Sequence, residues 1–280
     1  RLMNEKISPV ILTRRIEKRE PKDNSLIHEI PLKLEVYKTR TIEMKKKYSL
    51  KTLFFKFTQK FLYIYTYIHW IPYGYLFGRK ILEKRKNIKF IFATGPPYYS
   101  HMIGYLLKKT FKIPLIVEYR DPWTHNPYGY RKDFNHFINS KIERRILNLA
   151  DMIIVISKPL KTFLKQFFPV VKKKKISIVE NGLNIIDHKI LKIKKKEVIT
   201  FTFIGRLYGR RNIKPLLLMI SNLKKNGFFK NIKFLFKIYG QYNHTYLNRL
   251  TNQLNISDLV YFGEFLPRAR IYEEIINCDL

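Results

Sequence analysis

The chain has 280 residues, of which 55 are Lys or Arg and 21 are Asp or Glu, a formal net charge of +34. Hydrophobic residues make up 46%, enough to bury a large core, which excludes an intrinsically disordered chain. A single cysteine, Cys278, excludes a disulfide-stapled module and a zinc site built on two or more thiolates, so a reducing compartment is the default. The charge itself has two readings. Lys, Asn, Ile, Phe and Tyr are all abundant and all spelled by AT-rich codons, so part of the excess reads as drift on a tolerant surface. The other reading is a basic face for an anionic partner: nucleic acid, an acidic membrane or a phosphorylated substrate.

The apolar run Val10 to Leu12, bounded by Pro9 and basic residues, predicts a buried strand, and KLEVYKTRT predicts another. Between Lys60 and Arg79 lie 18 uncharged residues, a length at the edge of a membrane span. Thr66, His69, Pro72, Gly74 and many Tyr in that run argue against a span and for a helix pair on the core or an interfacial element. From residue 88 a regular rhythm follows. NIKFIFAT is a strand stopped by GPP, YYSHMIGYLLKKT a helix, IPLIVEY a strand and RDPWTHNPYGY a loop. FNHFINSKIERRILNLA is a helix, DMIIVIS a strand, KPLKTFLKQFF a helix and ISIVENG a strand with a turn. This βαβα alternation predicts a parallel sheet with helices packed on it. Residues 184–197 read as a linker. The rhythm then restarts with VITFTFIG, the loop RLYGRRN, the helix IKPLLLMISNLKKNG, the strand NIKFLFKIYG, a helix, the strand DLVYFG and a last helix. Two domains are expected, 1–183 and 198–280. Arg1 in place of Met, and a last helix running into the start of a strand, read as a fragment cut at both ends.

Several segments in order carry a resemblance: TGPPYYSHMIG, PLIVEYRDPW, IERRILNLADMIIVIS, ISIVENGLN, FIGRLYGRRN, IYGQ and LVYFGEF. Together they resemble glycosyltransferase family 4, in the branch acting on bacterial surface polysaccharides, from about residue 9 to the end. The resemblance implies an α/β fold of two Rossmann-like domains facing across a cleft, the GT-B type, with the second domain incomplete. It also implies sugar transfer from a nucleotide-sugar donor to a saccharide or lipid-linked acceptor, with retention of configuration. Family members begin with a strand and a Gly-rich loop and carry a Glu-x7-Glu element in the second domain; the adjacent pair Glu273 and Glu274 is not that element.

The site residues follow from motif and chemistry together. In FIGRLYGRRN a strand ends at Gly205 and a helix starts near Ile213, and ligands gather where strands of a parallel sheet end. The family places basic residues one and six positions after that glycine, here Arg206 and Arg211. Guanidinium groups suit the growing charge of a diphosphate leaving group. Lys is usual at the second position, and Arg210 competes for the role. VEYRDPW delivers Arg120 and Asp121 to a strand's carboxyl end, where Asp121 either meets an acceptor hydroxyl or shapes the loop. Much of the family has a catalytic His in that region, and this branch has Arg-Asp. Gly95 is expected to let backbone approach a ligand, and His101 reads as a packing or surface residue ahead of a catalytic one. Asn181, Gly240 and Glu264 are further donor or cleft candidates. The seven histidines form no spaced cluster, so no metal and no cofactor are expected.

The charge and the aromatic residues of 61–77 together predict a cytoplasmic protein docked peripherally on the inner, anionic face of the membrane. No nucleic acid is expected as partner. Two alternatives stay open: a nucleotide-sugar epimerase of the same two-domain shape, and a basic nucleic-acid-binding protein, favoured by charge alone.

Overall fold

The structure is a computed structural model and describes residues 7–15, 30–40, 69–127, 134–182, 197–208 and 211–280. The chain divides into two compact units, with a boundary between Leu183 and Asn184. Residues 184–196 of the expected linker, and 61–68 of the uncharged run, lie outside the described residues.

In the first unit, β1 (Val10–Arg14) and β2 (Glu35–Thr39) form a parallel pair. Helix α1 (Trp70–Lys84) follows, then β3 (Ile91–Gly95), α2 (Tyr99–Phe111), β4 (Leu115–Tyr119), α3 (Phe134–Leu149), β5 (Met152–Val155), α4 (Lys158–Phe167) and β6 (Ile176–Ile178). Strands β3 to β6 make one parallel sheet in sequence order. Every other residue of β4, Leu115, Val117 and Tyr119, is wholly buried, as a strand covered by helices requires. Ser157 caps α4 by accepting from the Leu160 N–H, with Pro159 in the first turn, where its missing donor costs nothing. The Asp151 carboxylate accepts from the Leu115 N–H at 2.6 Å and pairs with Lys108, tying β4 and α2 to the start of β5.

The uncharged run therefore ends as the first half of α1. Pro72 sits in that helix's first turn, which tolerates it. Gly74 and Gly78 let α1 lie close on Ile103 and Leu107 of α2, and the Trp70 indole N–H donates to Thr39 Oγ1 at 2.5 Å. No helix among the described residues is long and apolar enough to cross a membrane.

The second unit repeats the alternation with its own core of Leu217, Ile220, Phe236, Ile238 and Ile256. Its elements are β7 (Ile199–Arg206), α5 (Lys214–Lys225), β8 (Phe234–Gln241), α6 (His244–Gln253), β9 (Val260–Phe262) and α7 (Arg268–Ile276). The three strands are parallel in the order β7-β8-β9. Gly227, at φ 75°, turns the chain after α5. Beyond α7, the Asp279 N–H donates to Thr200 O at 2.8 Å and the Thr202 N–H to Leu280 O at 2.7 Å, so the last residues lie along β7.

Candidate functional site

All strands in each sheet run the same way, so each sheet gathers its carboxyl ends on one edge. In the first unit the register pairs Gly95 with Tyr119, Tyr119 with Val155 and Val155 with Ile178. The residues just past that row are Arg120 and Asp121 after β4, and Asn181 three residues after β6. All three are exposed. The register thus sets Arg120, Asp121 and Asn181 beyond one edge of the sheet, while Gly95 differs from the role expected of it. Gly95 is buried, and a Cβ there would stand 2.7 Å from the Tyr98 ring and 3.1 Å from His101 Nε2. The room expected for a ligand over Gly95 is taken by the protein's own rings.

His101 is fully buried, with Nε2 2.9 Å from Glu118 O and its ring between Tyr98 and Tyr119. Burial outweighs its backbone hydrogen bonds and lowers its pKa to about 4, which keeps it neutral. It is a packing histidine. The Arg120 guanidinium reaches back to Pro96 O at 2.6 Å. The Asp121 main-chain oxygen accepts from the Tyr98 hydroxyl at 2.6 Å, while its carboxylate makes no hydrogen bond or ion pair among the described residues.

Glu143 stands within the segment IERRILNLADMIIVIS, but the sequence assigns it no role. It is wholly buried on α3, and burial, opposed by hydrogen bonds from Thr124, pushes its carboxyl up to about 7. A signal was present. Glu143 lies one turn from Ile146 and Leu147, inside the apolar stripe of the helix, where a carboxylate is out of place.

In the second unit, Gly205 and Arg206 end β7 beside Gly240 and Gln241 of β8. Gly240 has φ 122°, and a Cβ there would run into the Gly205 carbonyl oxygen, so this glycine is required by the strand pair itself. Glu264 is exposed two residues after β9, on the same edge. Past β7 the chain turns at Tyr208, whose carbonyl accepts from the Arg211 N–H at 3.0 Å. Both guanidiniums rest on the Tyr208 ring, Arg206 at 5.8 Å and Arg211 at 5.4 Å from its centroid. They are therefore no further apart than those two distances together. Lys214 then opens α5, its N–H donating to Asn212 Oδ1 at 3.2 Å. Two cations and a helix N-terminus share one strand end, which is chemistry for a phosphate group. The competing Arg210 lies outside the described residues, and among the described residues no three metal-ligating side chains converge.

Two α/β units with all-parallel sheets and polar loops at the strand ends define the GT-B class of Rossmann-like pairs. The chain belongs to glycosyltransferase family 4: the model of that family matches residues 36–186, just over half of its length. An uncharacterized glycosyltransferase of Methanocaldococcus jannaschii is 24% identical over 226 residues, covering 75% of this chain and 53% of the relative. The chain thus spans about half the length of the curated relative it matches. Among solved structures, the lipopolysaccharide outer core galactosyltransferase WaaB is similar with a TM-score of 0.52 at 13% identity, over 93% of this chain and 60% of that one. UGT2 of Phytolacca americana is similar with a TM-score of 0.53 at 10% identity, over 95% and 68%. At these identities the likeness is one of fold.

Proposed function

We propose that this protein takes part in transferring a sugar from a nucleotide-sugar donor to a saccharide or lipid-linked acceptor in cell-surface polysaccharide synthesis, with retention of configuration. Family membership supports the reaction class. The observation that carries the donor site is the pair Arg206 and Arg211, brought onto one aromatic ring where β7 ends and α5 is about to begin. As the bond between the anomeric carbon and the diphosphate oxygen breaks, charge grows on the diphosphate. Two guanidinium groups stabilise it there in place of a divalent cation. In the first unit the open Asp121 carboxylate is suited to bind the acceptor hydroxyl or take its proton. Acceptors linked to lipid would place the protein at the inner face of the cytoplasmic membrane. Support for that comes from the net charge and from exposed Tyr73, Leu76 and Phe77 on α1, near exposed Arg79, Lys80 and Lys84.

Calorimetry with UDP, GDP, pyrophosphate and the matching nucleosides tests the donor site. A charge-assisted hydrogen bond contributes roughly 1.5–3 kcal/mol, so Arg206→Ala or Arg211→Ala should weaken diphosphate binding about ten- to a hundredfold and leave the nucleoside unaffected. Parental diphosphate affinity in both variants would reduce these arginines to surface charge.

A further inference from the structure

The segment that presents Asp121 is held from beneath by groups that the donor chemistry does not use. Glu143 Oε2 accepts from the Thr124 N–H at 3.1 Å and from the Thr124 hydroxyl at 2.5 Å. The Tyr119 hydroxyl on β4 is buried as well and makes no hydrogen bond of its own among the described residues. Tyr98, itself buried, donates to Asp121 O at 2.6 Å and stacks on Trp123, rings parallel within 5° and 5.0 Å apart. On the other side, the Arg120 N–H donates to Gly95 O at 2.9 Å. The main chain is therefore fixed at 120, 121 and 124, with the Trp123 ring clamped between. Among these anchored points Arg120 and Asp121 are exposed, and the Arg120 guanidinium is turned back onto Pro96 O.

An apolar side chain at 143 would fill the same space among Ile146 and Leu147 without the cost of desolvating a carboxyl group. What the carboxyl adds is acceptance of both donors of one residue at a single oxygen. That fixes the rotation of Thr124 as well as its position, and with it the direction in which the preceding residues leave β4.

We propose that Glu143 is a positioning residue for the acceptor-side site: through Thr124, and together with Tyr98, it holds the Arg120–Thr124 segment in the conformation that presents the Asp121 carboxylate. The proposal rests on the reading that Asp121 meets the acceptor.

Hydrogen exchange on the whole chain, followed at the amides of Arg120, Asp121, Trp123 and Thr124, separates the two. In Glu143→Ala both hydrogen bonds are lost, and exchange at Trp123 and Thr124 should rise about ten- to a hundredfold. Glu143→Gln keeps an acceptor oxygen and should restore the parental rate, which a role of merely filling space would not require. Should Glu143→Ala not fold, Thr124→Val removes the hydroxyl donor alone and Tyr98→Phe removes the bond to Asp121 O while keeping the ring stack. Each should speed exchange several-fold in the same segment. Parental exchange in Glu143→Ala, or in both Thr124→Val and Tyr98→Phe, overturns the proposal and leaves the reading of Asp121 standing. Asp121→Asn should exchange as the parent does. If instead it loosens the segment, its carboxylate belongs to the fold, and it is the acceptor reading that falls.

Discussion

His101 and Glu143 are both wholly buried in the first unit, and burial moves them in opposite directions, His101 down to about 4 and Glu143 up to about 7. The native state binds fewer protons at His101 than the unfolded chain does, so that stability is present above about pH 6.5 and lost as pH falls toward 4. At Glu143 the native state binds more protons, so its contribution is full below about pH 4.5 and is lost as pH rises through 7. Each span of pKa corresponds to about 3 kcal/mol, and across pH 4.5–6.5 the two oppose each other. Urea unfolding at a series of pH values should therefore split the variants around the parent. Glu143→Gln should lose more stability on acidification than the parent, and His101→Gln less. His125, also lowered to about 4 by burial and by the neighbouring His136, tilts all three curves alike. Three parallel curves would mean that neither residue titrates as its surroundings dictate. In the sequence His101 reads as a packing or surface residue, and its complete burial decides for packing. Glu143 was not legible there, because a single acidic residue on a basic helix reads as solvated until its position in the apolar stripe is counted.

The elements themselves were largely written in the sequence, since runs such as LIVEY and MIIV, stopped by Pro, Gly or a cap, leave few alternatives. Two features were not. Nothing local tells that β1 and β2 pair with each other in parallel, because pairing depends on distant residues. Nor does a glycine announce whether it serves a ligand or a neighbouring strand. Gly240 and Gly205 face each other across β8 and β7, yet their demands differ. A Cβ at 240 meets the Gly205 carbonyl oxygen, which backbone pairing prevents from moving, and φ 122° is strained for any other residue. A Cβ at 205 meets only the far end of the Phe203 ring, at 3.3 Å. Gly240→Ala should cost about 2–4 kcal/mol by chemical denaturation, and Gly205→Ala less than about 1 kcal/mol. Equal midpoints for the two variants would show that the β7–β8 pair is looser than its register implies. The donor candidates at this edge thus split, with Gly240 accounted for by the sheet and Arg206 and Arg211 gathered on the Tyr208 ring beyond the strand end.

The net charge of +34 acts on every anion, so affinity for UDP at low salt does not by itself identify a site. Distance separates the general attraction from the specific contact. The screening length is about 10 Å at 0.1 M salt and about 3 Å at 1 M, so charges spread over the surface lose their reach while groups in contact keep theirs. Adsorption to an anionic membrane belongs to the first kind, at about 1 kcal/mol for each Lys or Arg near the surface. At such a membrane Tyr73, Leu76 and Phe77 would add apolar contact, but they sit on a helix packed by its other face on α2 and would stay with the protein. The proposed diphosphate site would belong to the second kind, because Arg206 and Arg211 lie on one ring and would meet phosphate oxygens directly. Vesicles containing phosphatidylserine should therefore co-sediment the protein at 0.1 M NaCl and release it at 1 M. UDP binding, measured by calorimetry over the same range, should weaken by less than about tenfold, with Arg206→Ala remaining the weaker at every salt concentration. Retention on vesicles that only detergent reverses would overturn the peripheral reading. If UDP affinity disappears in step with vesicle adsorption, the two arginines act as part of the general charge, and the donor site must be sought on another strand end.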